Sequence, residues 1–182
     1  INEENLTMRE IALGESNHRP DLDAIWAAAD LVGKGTRDEF LDLVHSGDDS
    51  IRFWGVIGLR QGFPKDEALL EDLYDTMDDI SAPVRIEMAA WMAAESEKYR
   101  GEAVQVLGRE LFHEDWWTAL RACRAVELLG IKAKALLPVM ETLYNRHRDV
   151  AGEGSLFLSF SSGAFLEKMG MPTEPWAFSP KK

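Results

Sequence analysis

The sequence contains four histidines and one cysteine, side chains that often hold metal ions or act as nucleophiles. His18, His45, His113 and His147 lack a second histidine at helical ligand spacing, so the pattern of a zinc site is missing. Cys123 lies among small residues of a predicted helix, which favours a buried structural thiol over a nucleophile. We therefore expect no catalytic residue, no metal ligand and no cofactor in this chain.

Three short motifs match fragments of known sites without the context that those sites need. His113-Glu114-Asp115 could supply an isolated ligand pair, but it better fits a turn with helix-capping acids. His147-Arg148-Asp149 matches a kinase catalytic-loop tripeptide, yet no glycine-rich loop accompanies it. Gly33-Lys34-Gly35-Thr36 lacks the four-residue spacer of a phosphate loop, so we interpret it as a helix stop followed by a cap.

Tryptophan and arginine side chains form the one candidate contact surface, because both types are enriched among binding hot spots. The competing interpretation is that these side chains serve packing within the fold. Arginines of this kind can pair with acidic residues of a neighbouring helical unit, and Trp91 lies at a position predicted to face the core. Trp54 is the best single candidate, because its position faces away from the predicted core. The candidate partner-surface residues are Arg52, Trp54, Arg85, Trp116, Trp117 and Arg121.

An internal repeat must position these residues. Three segments begin with β-branched residues at Ile51, Val84 and Thr118, at intervals of 33 and 34 residues. Small or apolar residues occupy the fifth and sixth positions of each segment, and a larger apolar residue occupies the ninth. These offsets share one face of a helix, where small side chains let a neighbouring helix approach closely.

Another apolar-periodic helix precedes each segment, and turns with Gly or Pro separate the helices. The unit is therefore helix, turn, helix, which resembles the HEAT repeat over about residues 20–146. The predicted fold is all-α, an α-α superhelix (a HEAT-like solenoid) of about four to five helix pairs. A degenerate first unit is predicted from Leu6 to Val32, and the last pair begins at Leu136.

The predicted domain organisation is a single repeat domain over residues 1–170 and an extended tail over residues 171–182. The apolar stretch from Leu156 to Leu166 is expected to form either a final helix or a packed irregular segment that covers the end of the stack. Three prolines after residue 171 favour an extended tail.

Composition limits the classes of partner. The hydrophobic fraction of 46% and charged fraction of 29% are typical of a globular domain. A net charge of −12 opposes nucleic-acid binding, which needs clustered Lys and Arg. No apolar run approaches the roughly 20 residues of a transmembrane helix, so no membrane insertion is expected. The chain begins with Ile1 rather than Met, and we expect a fragment of a longer polypeptide.

A more specific resemblance lies in Arg52-Phe53-Trp54-Gly55-Val56-Ile57-Gly58-Leu59. This run resembles the "R-[YF]-W-G-x-I-G-L" helix in C-terminal HEAT extensions of bacterial formylglycine-dependent (type I) sulfatases, and residues 24–31 resemble the helix before it. The resemblance implies a non-catalytic accessory domain of an exported sulfatase acting on sulfated glycans or related esters. It also implies a periplasmic or extracellular location.

The sulfatase nucleophile motif, Cys- or Ser-x-Pro-x-Arg, is absent from the chain, so no catalytic residue of that family transfers to any position. The expected partner is then an upstream catalytic domain. A free-standing HEAT-repeat scaffold that binds another protein explains the periodicity equally well. An enzymatic alternative comes from DNA glycosylases and bilin lyases, which use similar solenoids, although the acidic charge opposes the former.

Overall fold

The computed structural model describes residues 21–150 and 152–173. These residues form α-helices and two short 3₁₀ helices, and no strand occurs among them, which confirms the predicted all-α class. The elements are α1 (Leu22–Asp30), α2 (Arg37–Val44), α3 (Asp49–Gly62), α4 (Glu67–Asp72), the first 3₁₀ helix (Tyr74–Asp78), α5 (Ala82–Glu95), α6 (Arg100–Glu110), α7 (Trp116–Leu129), the second 3₁₀ helix (Gly130–Leu136), α8 (Leu137–His147) and α9 (Glu153–Lys168).

The helices lie in two rows. In the first row α1, α3, α5, α7 and α9 follow one another, and each contacts the next. The second row contains α2, α4 with the first 3₁₀ helix, α6, and α8 with the second 3₁₀ helix. Contacts between the rows join α2 to α3, α5 to α6 and α8 to α9. The three repeat segments of the sequence are therefore neighbouring helices of the first row.

Acidic and hydroxyl side chains fix several helix starts. The Asp48 carboxylate accepts hydrogen bonds from the amides of Ser50 and Ile51, and Asp115 accepts one from the Thr118 amide. Thr36 and Glu39 form a reciprocal capping box at the start of α2. The Gly33–Thr36 stretch is thus a helix stop and cap, as predicted, because Gly33 adopts φ +81° after α1 has ended.

The predicted inward face of the first row is buried. The fifth, sixth and ninth positions of each repeat segment are completely or almost completely inaccessible to solvent. These positions hold Gly55, Val56 and Leu59 in α3, Met88, Ala89 and Met92 in α5, and Ala122, Cys123 and Val126 in α7. Trp91 is also 0% exposed, and its indole nitrogen donates to the Pro64 carbonyl. The sequence period therefore located the core correctly.

Two glycines set the separation of α2 from α3. A methyl group added at Gly55 would lie 2.7 Å from the Val44 backbone nitrogen, and one at Gly58 would lie 2.1 Å from a Phe40 ring carbon. Phe40 is only 1% exposed, so its ring has little room to move. The two helices can approach this closely because neither glycine has a side chain.

Arginines at the second repeat position bind successive turns together. The Arg52 guanidinium donates to the carbonyls of Ser46 and Gly47 and forms a bidentate pair with Asp79, with both N–O distances 2.8 Å. Arg85 repeats the pattern one unit later, donating to the carbonyls of Asp79 and Ile80. Its acidic partner is then Glu110, at 2.8 Å.

Helix α9 packs along α7. The stretch Leu156–Leu166 is helical, lying within α9, which selects the first of the two predicted alternatives. The Ser161 hydroxyl donates to the buried Glu127 carboxylate at 2.9 Å, and the Lys168 ammonium donates to the Glu127 carbonyl. Burial would raise the pKa of Glu127, but bonds from Arg124 and Ser161 hold it below its usual value.

Some predictions fall outside the described residues. They include most of the first unit from Leu6, His18 and the tail beyond Thr173. Within the described ranges, none of the helices combines the length and hydropathy that crossing a bilayer requires. The predicted contact residues Trp54, Trp117 and Arg121 lie on the outward side of the first row.

We expect Gly58→Ala to lower the free energy of unfolding by about 1–3 kcal/mol, because the added methyl must displace the Phe40 ring. Gly62→Ala is the matched control, since nothing lies within 4 Å of a methyl group there. Chemical denaturation of the variants measures both effects. Equal stability of the Gly58 and Gly62 variants would contradict the close approach of α2 and α3.

Asp79 gives a pH-dependent prediction. Burial alone would raise its pKa, but the Arg52 guanidinium and the Ser81 amide hold the pKa of this carboxyl below its usual value. A depressed pKa in the folded state stabilises the fold above the unfolded value of about 3.9, and that contribution is lost as the pH falls through the folded value.

We therefore expect Asp79→Asn to cost about 1.5–3 kcal/mol at neutral pH, the usual value of a hydrogen bond to a charged group. The difference from the parent protein should shrink below about pH 4, where the parent carboxyl also takes up a proton. Urea denaturation between pH 2 and pH 8 measures it. Asp42→Asn, on the exposed side of α2, should change stability by less than about 0.5 kcal/mol throughout. A difference that persists undiminished in acid would contradict the ionic role of Asp79.

Candidate interaction groove

The fourth position of the repeat faces outward from the first row. It lies about 150° around the helix from the centre of the buried face, given 100° per residue. Trp54, Glu87 and Arg121 occupy this position in α3, α5 and α7. The second position falls instead on the buried side, which explains why Arg52 and Arg85 point into the stack while Arg121 does not.

The outward surfaces of α5 and α7 form the walls of a groove of about 610 Å³. Each wall is a stripe at helical spacing, and the two stripes match residue for residue at an interval of 34. The stripe of α5 contains Pro83, Glu87, Ala90 and Ala94, and that of α7 contains Trp117, Arg121, Arg124 and Leu128. The groove is therefore a product of the repeat, in which the small Ala90 and Ala94 of one wall correspond to the large Arg124 and Leu128 of the other.

One carboxylate joins three consecutive helices across this groove. Glu87 Oε2 lies 3.0 Å from Arg60 Nη1 on α3, and Glu87 Oε1 lies 3.1 Å from Arg121 Nη1 on α7. The Glu87 side chain is 15% exposed, whereas those of Arg60 and Arg121 are 38% and 41% exposed. The carboxylate is therefore largely covered by the two guanidinium groups, which remain open to the groove.

Aromatic rings hold Arg121 in place. Its guanidinium carbon lies 4.8 Å above the centre of the Phe53 ring, within cation–π range. Phe53 in turn packs edge to face on Trp54, with ring centres 5.5 Å apart. These side chains line a smaller recess of about 300 Å³ between α1, α3 and α5, which meets the larger groove at Arg121 and Pro83.

Two adjacent tryptophans mark the beginning of α7. The rings of Trp116 and Trp117 stack with centres 3.7 Å apart. Trp116 packs against Gly154 at the start of α9, where an added methyl group would lie 2.8 Å from the indole. Trp117 is 59% exposed and forms one end of the groove. Trp116 therefore supports the orientation of Trp117 from the side of α9.

The groove has one positive region although the chain is acidic. Its lining contains Arg60, Arg121 and Arg124 against the carboxylates of Glu87 and Asp115. Burial would raise the pKa of Asp115, but bonds from Thr118 hold it below its usual value, as expected of a carboxylate that caps a helix. Arg124 is paired with Glu127, so the charge available to a ligand is the single positive charge left where Arg60 and Arg121 share Glu87.

The six predicted surface residues separate into two groups. Arg52 and Arg85 lie within the stack, with side chains 12% and 21% exposed, where packing accounts for them. Trp117 and Arg121 line the groove, Trp54 lines the adjoining recess, and Trp116 lies behind Trp117. Sequence reasoning missed Glu87, Arg60, Arg124 and Leu128. The repeat register could have found Glu87, because it occupies the same position as Trp54 and Arg121.

Cys123 and His113, which could in principle act as a nucleophile or a metal ligand, both have structural roles. Cys123 is buried, and burial raises the pKa of its thiol to about 12, far from the reactive range. His113 Nδ1 accepts a hydrogen bond from the Asp115 amide within the turn before α7, consistent with the predicted capping turn. In the part of the chain that the structure describes, no three His, Cys, Asp or Glu side chains gather closely enough to hold a metal ion.

No family model, no curated protein and no solved structure matches this chain.

Proposed function

We propose that this chain is a HEAT-like α-α superhelical interaction domain without catalytic residues of its own. The groove between α5 and α7 is its contact surface. The observation that carries the proposal is the combination in one groove of an exposed tryptophan, Trp117, with an arginine held by both Glu87 and Phe53. Prepositioned Trp and Arg side chains contribute most to binding per residue, because little conformational freedom remains to be lost.

The two-row arrangement supports the superhelical part of the proposal. Helices α3, α5 and α7 bury the same three repeat positions, and each first-row helix contacts the next one in the row. Nearest-neighbour stacking of this kind is the defining property of repeat proteins, whose extended surfaces usually bind partners. The groove lies on the outward side of the first row.

We further propose that the partner is the catalytic domain of a sulfatase encoded upstream in the same polypeptide. This step rests on the resemblance of the run from Arg52 to Leu59 and on no feature of the groove. An independent HEAT-repeat scaffold that binds a separate protein remains the alternative, and it uses the same groove.

The decisive experiment begins by reading the coding frame upstream of the Ile1 codon. We expect a Cys- or Ser-x-Pro-x-Arg motif in that frame, and the catalytic unit that contains it is then produced separately. Calorimetric titration should detect its binding to this chain. A frame that holds no such motif would overturn the sulfatase assignment and leave the scaffold.

Variants test the groove itself. Trp117→Ala and Arg121→Gln should each weaken binding of the catalytic unit at least tenfold, because they remove the proposed hot spots. Arg109→Gln, on the exposed side of α6 in the second row, is the control and should bind like the parent protein. Circular dichroism verifies that all three remain folded. Undiminished binding by both groove variants would contradict the assignment of the contact surface.

A further inference from the structure

We propose that the groove binds an extended peptide segment of a partner protein that carries an acidic side chain and, three residues away, an apolar side chain. This inference rests on the proposed function and specifies the chemistry of the partner. It follows from three features of the groove: its pair of arginines, its apolar end and the distance between them.

The arginine pair supplies the acidic subsite. Glu87 occupies one N–H group of Arg60 and one of Arg121, and each guanidinium carries five such donors. Phe53 and Glu87 fix the plane of Arg121, so a carboxylate that enters the groove meets a donor already oriented. Two guanidinium groups and the one carboxylate of Glu87 leave this subsite with one net positive charge, which attracts an anionic side chain and repels a cationic one. The charge of the subsite therefore selects Asp or Glu.

The other end of the groove supplies the apolar subsite. Its surface is formed by Ala94 of α5 and by Leu128 and Leu129 of α7, and Leu128 is 61% exposed. Lys132 donates a hydrogen bond to the Ala94 carbonyl, which ties the second 3₁₀ helix to the end of α5. Ala94 leaves room for a side chain of the ligand, which would remove the exposed Leu128 from water.

The spacing follows from helix geometry. Glu87 and Ala94 are separated by seven residues of α5, which at 1.5 Å per residue is about 10 Å. An extended peptide advances about 3.3 Å per residue, so three residues cover the same distance. A helical ligand would need about seven residues, and only the extended form places both side chains in a short segment. The expected motif is therefore acidic-x-x-apolar.

A set of fluorescein-labelled synthetic peptides provides the test. The first carries Glu and Leu three residues apart in an otherwise Gly/Ser/Ala background. Matched peptides replace Glu with Lys, place Glu and Leu next to each other, or place them seven residues apart in a helix-forming background. Fluorescence anisotropy with the full chain should show binding to the first peptide at least tenfold tighter than to the other three.

Variants of the protein connect this selectivity to the two subsites. Arg121→Gln should remove the preference for Glu over Lys while retaining the preference for Leu. Leu128→Ser should have the opposite effect. Arg109→Gln should leave both preferences unchanged. Because the three side chains are exposed, circular dichroism should be the same for all variants.

The outcomes separate this inference from the proposed function. Binding that ignores the Glu-to-Lys change, or that is tightest for the helical peptide, overturns the inference. The inference is also overturned if none of the peptides binds and a sulfated oligosaccharide binds in a way that depends on Arg121. If the peptides fail but Trp117→Ala and Arg121→Gln still weaken binding of the catalytic unit, the interaction domain remains and only the partner chemistry is wrong. If neither peptide nor protein binding depends on these residues, both proposals fail.

Discussion

The register of the buried face controls the rest of this structure. In α3, α5 and α7 the same three positions are withdrawn from water, and the close-packed interior allows no rotation of the helices about their axes. Every other position is then assigned to a side of the row. The second position lies on the buried side, where its arginine reaches the turn before its own helix, and the fourth lies on the outward side. Arginines at different repeat positions therefore differ in role. Arg52 and Arg85 bind successive turns together inside the stack, whereas Arg121 is exposed in the groove.

The run that resembles sulfatase extensions is largely explained by packing. Gly55 and Gly58 permit the close approach of α2, Leu59 is in the core, and Arg52 binds the next turn through Asp79. Among the distinctive residues of the run, Phe53 and Trp54 line the outward recess. The residues of this run therefore mainly determine how the helices stack. Any role of the run in binding must come from its outward-facing residues.

The groove shows how a repeat acquires a local property that its average composition conceals. A chain with a net charge of −12 presents two guanidinium groups around one carboxylate, because Arg60 at the side of α3 lies beside the outward positions of Glu87 in α5 and Arg121 in α7. The ion pairs hold the arginines in position rather than adding much stability, since partly exposed pairs contribute little. Prepositioning is what matters for recognition, and Phe53 reinforces it.

The sequence alone determined the helical class, the period, the buried positions and the capping acids, because these depend on local spacing and on side chains within one or two turns. It also predicted Trp54, Trp117 and Arg121 as outward or contact residues. Only the tertiary structure decided which acid each arginine meets, because Asp79 and Glu87 lie 27 residues from Arg52 and Arg60. Those partners depend on how one helix pair sits on the next, a relation between distant parts of the chain that no local pattern encodes.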